Sequence, residues 1–265
     1  MTALDRIRSR RNPRIQAIRA IRAGKNRDRV LLEGGHLVEE ALESGWEVRW
    51  LLFTEEGLAA SDRKVLSRAA ARGVDAFPCD AGILEEVRDL DSPGRLLGVA
   101  SRPRTELAAV LDGARSPGAF VVVSAGIQDP RNLGALIRSV AGLGAAGVVV
   151  LAGGVSPWHP RALRGASGTT FRIPVAEGIS AEALIGDAGE RGLELWAADA
   201  EGEDPRKIRR DGPVALLLGE EGRGLPAPLA ARSARKVGIP LSRGVESLNV
   251  AAAGAILAFV LGEQG

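Results

Sequence analysis

From Ala119 onward, short apolar runs alternate with helical patterns, and this alternation most limits the possible fold. The runs are Ala119–Ala125, Val148–Leu151, Arg172–Val175, Leu193–Ala198 and Val214–Leu218. Between them, Leu136, Ile137, Val140 and Leu143 recur at helical spacing, and residues 160–167 and 180–191 read as further helices. Strands that alternate with helices predict a parallel sheet covered on both faces. A second strand pattern, Lys236–Leu241, follows the glycine loop Gly219–Gly224. A polar turn then opens a helix of small residues from Ala251 to Phe259. Two loops thus leave the ends of two apolar strands, where open α/β sheets bind ligands. Three glycines in six residues let backbone approach such a ligand closely.

The first hundred residues carry a separate α/β pattern. Strands are predicted at 29–33, 46–53, 74–77 and 96–100, with helices at 36–44, 58–72 and 80–88. Pro13 suits a helix start, and Ile15, Ile18 and Ile21 continue that helix to Arg22. This reads as a domain over 1–100, a linker over 101–117 with Pro103, Gly113, Pro117 and a short helical pattern, and a second domain over 118–265.

Charge separates the two parts. Residues 1–29 hold nine Arg and Lys25 against Asp5 and Asp28, a count of +8 in a chain whose net charge is +2. A basic cluster beside a domain is the electrostatic footprint of nucleic acid. A transit peptide or a solvated arm would have the same composition. Aromatic residues make up 3% and Tyr is absent, so charge and hydrogen bonding outweigh base stacking as an RNA-binding mode. One cysteine, Cys79, excludes a disulfide framework and fits a reducing cytoplasm; His36 and His159 are too few for most metal sites, and no metal is expected. No apolar run is long enough to span a membrane. Gly142-Leu143-Gly144-Ala145-Ala146-Gly147 has the spacing of a dinucleotide fingerprint, but it follows a helix and enters a strand. It is a helix stop, and nicotinamide chemistry is disfavoured.

Three passages then coincide. Asp129-Pro130-Arg131-Asn132-Leu133-Gly134 running to Arg138-Ser139, Leu218-Gly219-Glu220-Glu221-Gly222-Arg223-Gly224-Leu225, and Ile239-Pro240-Leu241 with Glu246-Ser247-Leu248-Asn249-Val250-Ala251 resemble, in order, the three motifs of the SpoU (TrmH) family of RNA ribose 2′-O-methyltransferases in the SPOUT superfamily. Asn12-Pro13-Arg14-Ile15, Lys25-Asn26-Arg27 and Leu32-Glu33-Gly34 with Val38–Ala41 are similar to that family's substrate-binding domain. The resemblance implies a Rossmann-like parallel sheet with a deep trefoil knot, S-adenosylmethionine as methyl donor, and a homodimer. It implies that backbone at Leu218, Gly219, Ile239, Leu241 and Leu248, with Ala198 nearby, holds the adenosyl group. Asn132 and Arg138 match the family's substrate-site residues, and Glu221, Ser247 and Asn249 match its other functional positions. Glu220 departs from the family's usual small polar residue. The two-domain layout favours large-subunit ribosomal RNA over transfer RNA. The competing reading is an inert RNA-binding protein of the same fold, against which the intact motif residues speak.

Overall fold

The computed structural model describes residues 5–89, 94–116, 118–220 and 222–264. The chain forms two compact units: Met1–Pro103 with Trp158–Phe171, and Arg104–Pro157 with Arg172–Gly265.

In the first unit, Asn12 accepts a hydrogen bond from the Arg14 N–H at 2.9 Å and Pro13 opens helix α1 (Pro13–Arg22). An N-cap side chain and a proline at the first helical position are the local signals that start a helix. Strand β1 (Arg29–Glu33), helix α2 (Gly35–Glu43), β2 (Val48–Phe53), α3 (Ala60–Ala71), β3 (Asp75–Pro78), α4 (Ala81–Val87) and β4 (Leu96–Ser101) follow. The sheet order is β1-β4-β2-β3. Strand β4 runs antiparallel to β1 and β2, while β2 and β3 are parallel. Ile15 and Ile18 of α1 pack with Leu31, Leu52, Phe77 and Leu84, so the isoleucine spacing marks the buried face.

The second unit begins inside the stretch expected to be a linker. Helix α5 (Leu107–Gly113) sends Leu107, Val110 and Leu111 into the same core as Val121 and Val149. Strand β5 (Phe120–Ala125) leads to α6 (Pro130–Gly142) and β6 (Ala145–Leu151). The short α7 (Pro160–Gly165) comes next, then β7 (Val175–Ile179), α8 (Ala181–Glu190), β8 (Glu194–Glu203), β9 (Val214–Gly219), α9 (Ala227–Arg232), β10 (Arg235–Val237) and α10 (Val250–Glu263). The six strands lie in the order β10-β8-β9-β5-β6-β7 and every neighbouring pair is parallel. Every residue of β5 is buried, as in a strand covered on both faces. The glycine run behaves as a helix stop: α6 ends at Gly142 and Gly144 adopts φ +92° before β6.

Several strands differ from expectation: β6 begins at Ala145 rather than Val148, and β8 runs on to Glu203 rather than ending at Ala198. The run placed at Arg172–Val175 becomes β7 only from Val175, because Pro174 offers no N–H to a ladder; its carbonyl still accepts from the Val148 N–H at 2.9 Å. The run placed at Lys236–Leu241 pairs only as far as Val237, since Pro240 again lacks a donor.

The stretch Trp158–Phe171, which carries α7, packs with the first unit although sequence order puts it between strands of the second. Trp46 donates its indole N–H to the Phe171 carbonyl at 3.2 Å, and its ring lies 4.6 Å from the Phe171 ring and 5.5 Å from Trp158. Arg164 reaches Glu33 at 2.8 Å and Asp89 at 3.2 Å, and Arg161 reaches Asp89 at 2.8 Å. The Glu33 side chain has no exposed surface. Burial pushes its carboxyl above the usual range, against the pull of Arg164 and Arg22.

Candidate active site

The site is built at the C-terminal ends of β8, β9 and β10. After β9 the chain turns sharply: Glu220 N–H donates to the Gly224 carbonyl at 3.2 Å, and Gly224 N–H returns to the Glu220 carbonyl at 2.9 Å. Gly222 and Gly224 adopt φ +83° and +68°, which favour glycine. A methyl group on Gly219 would stand 2.4 Å from the Gly224 carbonyl carbon. This loop therefore presents backbone rather than side chains.

Beside it, β10 pairs in parallel with β8, and two segments lie in backbone contact. A Cβ on Gly202 would lie 2.4 Å from the Val237 carbonyl carbon, and one on Gly238 would lie 2.6 Å from the Asp199 oxygen. Gly238 N–H donates to the Glu203 carbonyl at 2.9 Å. Residues 237–238 can run against 199–203 only because both contact positions are glycine.

The third loop ends at α10. The Asn249 carbonyl oxygen caps that helix by accepting from Ala251 N–H at 3.0 Å, while its amide donates to the Asn132 side-chain oxygen at 3.0 Å. Asn132 stands in the first turn of α6, whose own cap is Asp129, accepting from Arg131 N–H at 2.8 Å. Gly254 brings α10 down onto α6 and β9, since a Cβ there would meet Leu136 at 2.4 Å and Leu218 at 2.8 Å. The first and third motifs are thus joined by a side-chain hydrogen bond between two helix starts.

These loops enclose a cavity of about 430 Å³. Ala198, Leu218, Gly219, Ile239, Leu241 and Leu248 all line it, and so does Ser247. Its size lies within the range of small-ligand sites. Leu218, Val250, Ala253 and Leu257 give it an apolar wall, while the Gly219 and Gly238 stretches bring main-chain groups to its rim. An adenosyl group needs both features: a flat apolar slot for the base and main-chain partners for its polar edge.

The other expected residues are placed differently. Arg138 is exposed on α6 and does not line the cavity of its own chain. Asn132 and Asn249 bond each other rather than forming the cavity wall. Glu221 lies outside the described residues. Glu220 does line the cavity and holds Arg223 at 3.8 Å. Sequence reasoning missed the pair Asp199 and Lys236, 2.9 Å apart and both lining the cavity. The hydrogen bond from Lys236 holds the Asp199 carboxyl below its usual range. The only signal was that Asp199 directly follows Ala198; nothing in the sequence paired it with a residue 37 positions on.

Residues 119–259 match the SpoU rRNA Methylase family model. The chain belongs to the SpoU family. It is thereby an S-adenosylmethionine-dependent RNA methyltransferase. Residues 12–98 match the MRM3-like substrate binding domain. Among SpoU relatives, a 23S rRNA (guanosine(2553)-2′-O)-methyltransferase, RlmP, from Bacillus subtilis is 29% identical over 97% of this chain and 99% of its own length. A tRNA/rRNA methyltransferase of uncharacterised activity from Mycobacterium avium is 35% identical over 85% of this chain and 74% of its own. The crystal structure of an AdoMet-bound rRNA methyltransferase from Sinorhizobium meliloti superposes with a TM-score of 0.82 at 27% identity, covering 97% of each chain. These SpoU likenesses extend over both units.

Proposed function

We propose that the chain methylates a ribose 2′-hydroxyl in large-subunit ribosomal RNA. The observation that carries this reading is the meeting of the second and third motif loops around one cavity, with the first motif held to the third by the Asn132–Asn249 hydrogen bond. The near full-length likeness to a 23S ribosomal RNA enzyme supports the choice of RNA. The cytoplasm is the proposed compartment; among the described residues, no helix is long and apolar enough to cross a membrane.

S-adenosylmethionine, when bound, supplies a methyl group already activated by its sulfonium. The chain has to hold the acceptor oxygen in line with that methyl and ease departure of one proton. Alignment of this kind is worth several kcal/mol, on the order of 7 or more in favourable cases. Backbone at Leu218, Gly219, Ile239, Leu241 and Leu248, beside Ala198, holds the adenosyl group. Ser247 lines the same cavity, and Glu221 takes part by its motif position. Asn132 and Asn249 fix the first turns of α6 and α10, which frame the substrate side. Arg138 binds an RNA phosphate and stabilises developing alkoxide charge. A guanidinium, with a pKa above about 12, is a poor proton acceptor.

A homodimer belongs to the same proposal. Ile256 and Phe259 are 42% and 51% exposed on α10, and Val245 is 51% exposed on the loop before it. Val245 lies just before the helix start that Asn249 caps, and Ile256 and Phe259 continue along the same helix; a second copy seated on this face is proposed to bring its exposed Arg138 to the neighbouring site. The trefoil knot is likewise proposed, from the family resemblance and the close backbone contact of 237–238 with 199–202.

The test uses radiolabelled S-adenosylmethionine with unmodified ribosomal RNA and, separately, unmodified transfer RNA. Alkali-resistant label at one linkage of ribosomal RNA is the expected result, with Arg138→Ala lowering the rate at least 100-fold (on the order of the cost of one lost charge-stabilising donor). Label in transfer RNA alone overturns the substrate. Absence of label from both, and from assembled subunits, overturns the activity.

A further inference from the structure

The ten basic residues of the N-terminal stretch are not equivalent. Arg6 pairs with Glu55 and stands 3.7 Å from Asp80. Arg10 lies 2.9 Å from Glu86, and Arg19 pairs with the same carboxylate. Arg22 donates to the Val87 carbonyl at 2.7 Å and stands 3.5 Å from Glu33. Four arginines therefore face four carboxylates within their own unit. Arg14 is set aside differently: its guanidinium lies 3.6 Å over the Phe77 ring, with its Nε buried. These five side chains serve the packing of the first unit.

The remaining cations stand at the two ends of α1. Arg8 and Arg11 precede it; Lys25, Arg27 and Arg29 follow it, three in five residues. Among the described residues, these five side chains make no ion pair or hydrogen bond. Lys25 and Arg27 are exposed and Arg29 is half-buried at the start of β1. The loop that carries the trio is ordered by its own backbone. Lys25 N–H and Asn26 N–H both donate to the Ala20 carbonyl, at 2.9 and 3.3 Å, and the Asn26 side chain accepts from Asp28 N–H at 3.2 Å. Asp28 is the one acidic residue within the loop.

We infer that the α1–β1 loop, through Lys25, Arg27 and Arg29, is the principal phosphate-binding surface of the first unit for the RNA substrate, and that the paired arginines are not. The inference rests on the RNA-methyltransferase reading and narrows it to one surface. A cation already neutralised by a carboxylate must break that pair before it gains a phosphate. An unpaired cation on a preformed loop displaces only counterions, so it dominates the salt dependence of binding. The half-buried stem of Arg29 limits its motion and sets the direction of the trio from the edge of the sheet.

The experiment measures affinity of the full chain for an unmodified large-subunit ribosomal RNA transcript at a series of salt concentrations. Each phosphate contact contributes about 0.7 to 0.9 to the slope of log affinity against log salt. The variant Lys25→Gln/Arg27→Gln/Arg29→Gln is expected to reduce the slope by about 2 to 3, and Arg6→Gln/Arg19→Gln by less than about 0.5. Far-ultraviolet circular dichroism and urea unfolding of the full chain show that each variant keeps its first unit folded, and a variant that lost that fold would be replaced by single Gln substitutions read the same way. A slope left unchanged in the loop variant, or an equal fall in both variants, overturns the inference while leaving the methyltransferase reading intact. A wild-type chain that binds cofactor but neither binds nor methylates RNA sinks both.

Discussion

Gly219 shows how little room the candidate site leaves. Its missing Cβ would stand 2.4 Å from main-chain carbon, which cannot swing aside as a side chain can. Gly219→Ala must therefore open the β9 loop, breaking the reciprocal Glu220–Gly224 pair that shapes the cavity rim. The expected result is at least a tenfold loss of S-adenosylmethionine affinity by calorimetry (about 1.4 kcal/mol), with the far-ultraviolet spectrum unchanged. Retained affinity would show that the loop is more plastic than its geometry. His159 offers a different kind of test. Its Nδ1 accepts from the Arg161 N–H at 3.2 Å and caps α7, a bond that only the unprotonated nitrogen can accept. Burial first, and Arg161 second, hold its pKa below the ordinary value of 6.5. A histidine depressed in the folded state contributes stability that is complete above its unfolded pKa. That contribution falls away as pH drops from 6.5 through the folded value. Denaturant midpoints measured from pH 7.5 to 5 should fall more steeply for the wild type than for His159→Asn, which keeps a capping acceptor without a titrating ring. Parallel pH profiles would remove His159 from the account.

Helix α7 and its flanks are where chain order and packing part company. Glu33 and Arg164 are 131 residues apart in sequence but meet at 2.8 Å, with the carboxylate fully covered. Removing Glu33 takes a carboxylate from Arg22 and Arg164, leaves Arg164 to Asp89, and strips the buried Asp89 N–H of its acceptor at 3.1 Å. Glu33→Ala should lower unfolding stability by about 3 kcal/mol, read from urea unfolding, and Glu33→Gln by less, since the amide still accepts a hydrogen bond. Equal, small effects would mean that Arg164 relaxes into solvent. No local pattern announced this pairing, and the stretch 160–167 read simply as a helix of the second half. Strands β5 and β9 were legible because unbroken apolar runs bounded by glycine fit a doubly covered sheet. A short helical pattern was legible within 101–117, but Pro103, Gly113 and Pro117 made the stretch read as a linker, so the place of Leu107, Val110 and Leu111 in the core was not. In the candidate site, the glycine loops were legible because they carry chemistry in the backbone and must be spelled with glycine. The Asp199–Lys236 pair was not, because opposite charges on separate strands carry no mark of each other. Arg138 was legible only as a motif position; its place outside the cavity of its own chain required the fold.

Arg138 and the cofactor cavity are also what a test of the assembled molecule can separate. If each site takes its cavity from one copy and Arg138 from the other, two differently damaged copies can rescue each other. A two-fold interface makes the two sites equivalent, so random mixing of Arg138→Ala with Gly219→Ala chains gives about half mixed dimers. Each mixed dimer holds one intact site and one doubly damaged site. Mixing two nearly inactive proteins should therefore restore about a quarter of wild-type methylation once subunits have exchanged. With both groups drawn from a single copy, every site in the mixture stays damaged and nothing is restored. The apolar face of α10 supplies the control. Phe259 is 51% exposed, so a partner that covers it contributes on the order of 1 kcal/mol of burial per side, about half of a full side-chain burial, and an Asp there would place a charge in the interface. Phe259→Asp should therefore shift sedimentation to the monomer and abolish rescue in the mixture, while each chain keeps its affinity for S-adenosylmethionine. Rescue that survives in a proven monomer would refute the shared site; a Phe259→Asp chain that stays dimeric and rescues would move the interface away from α10.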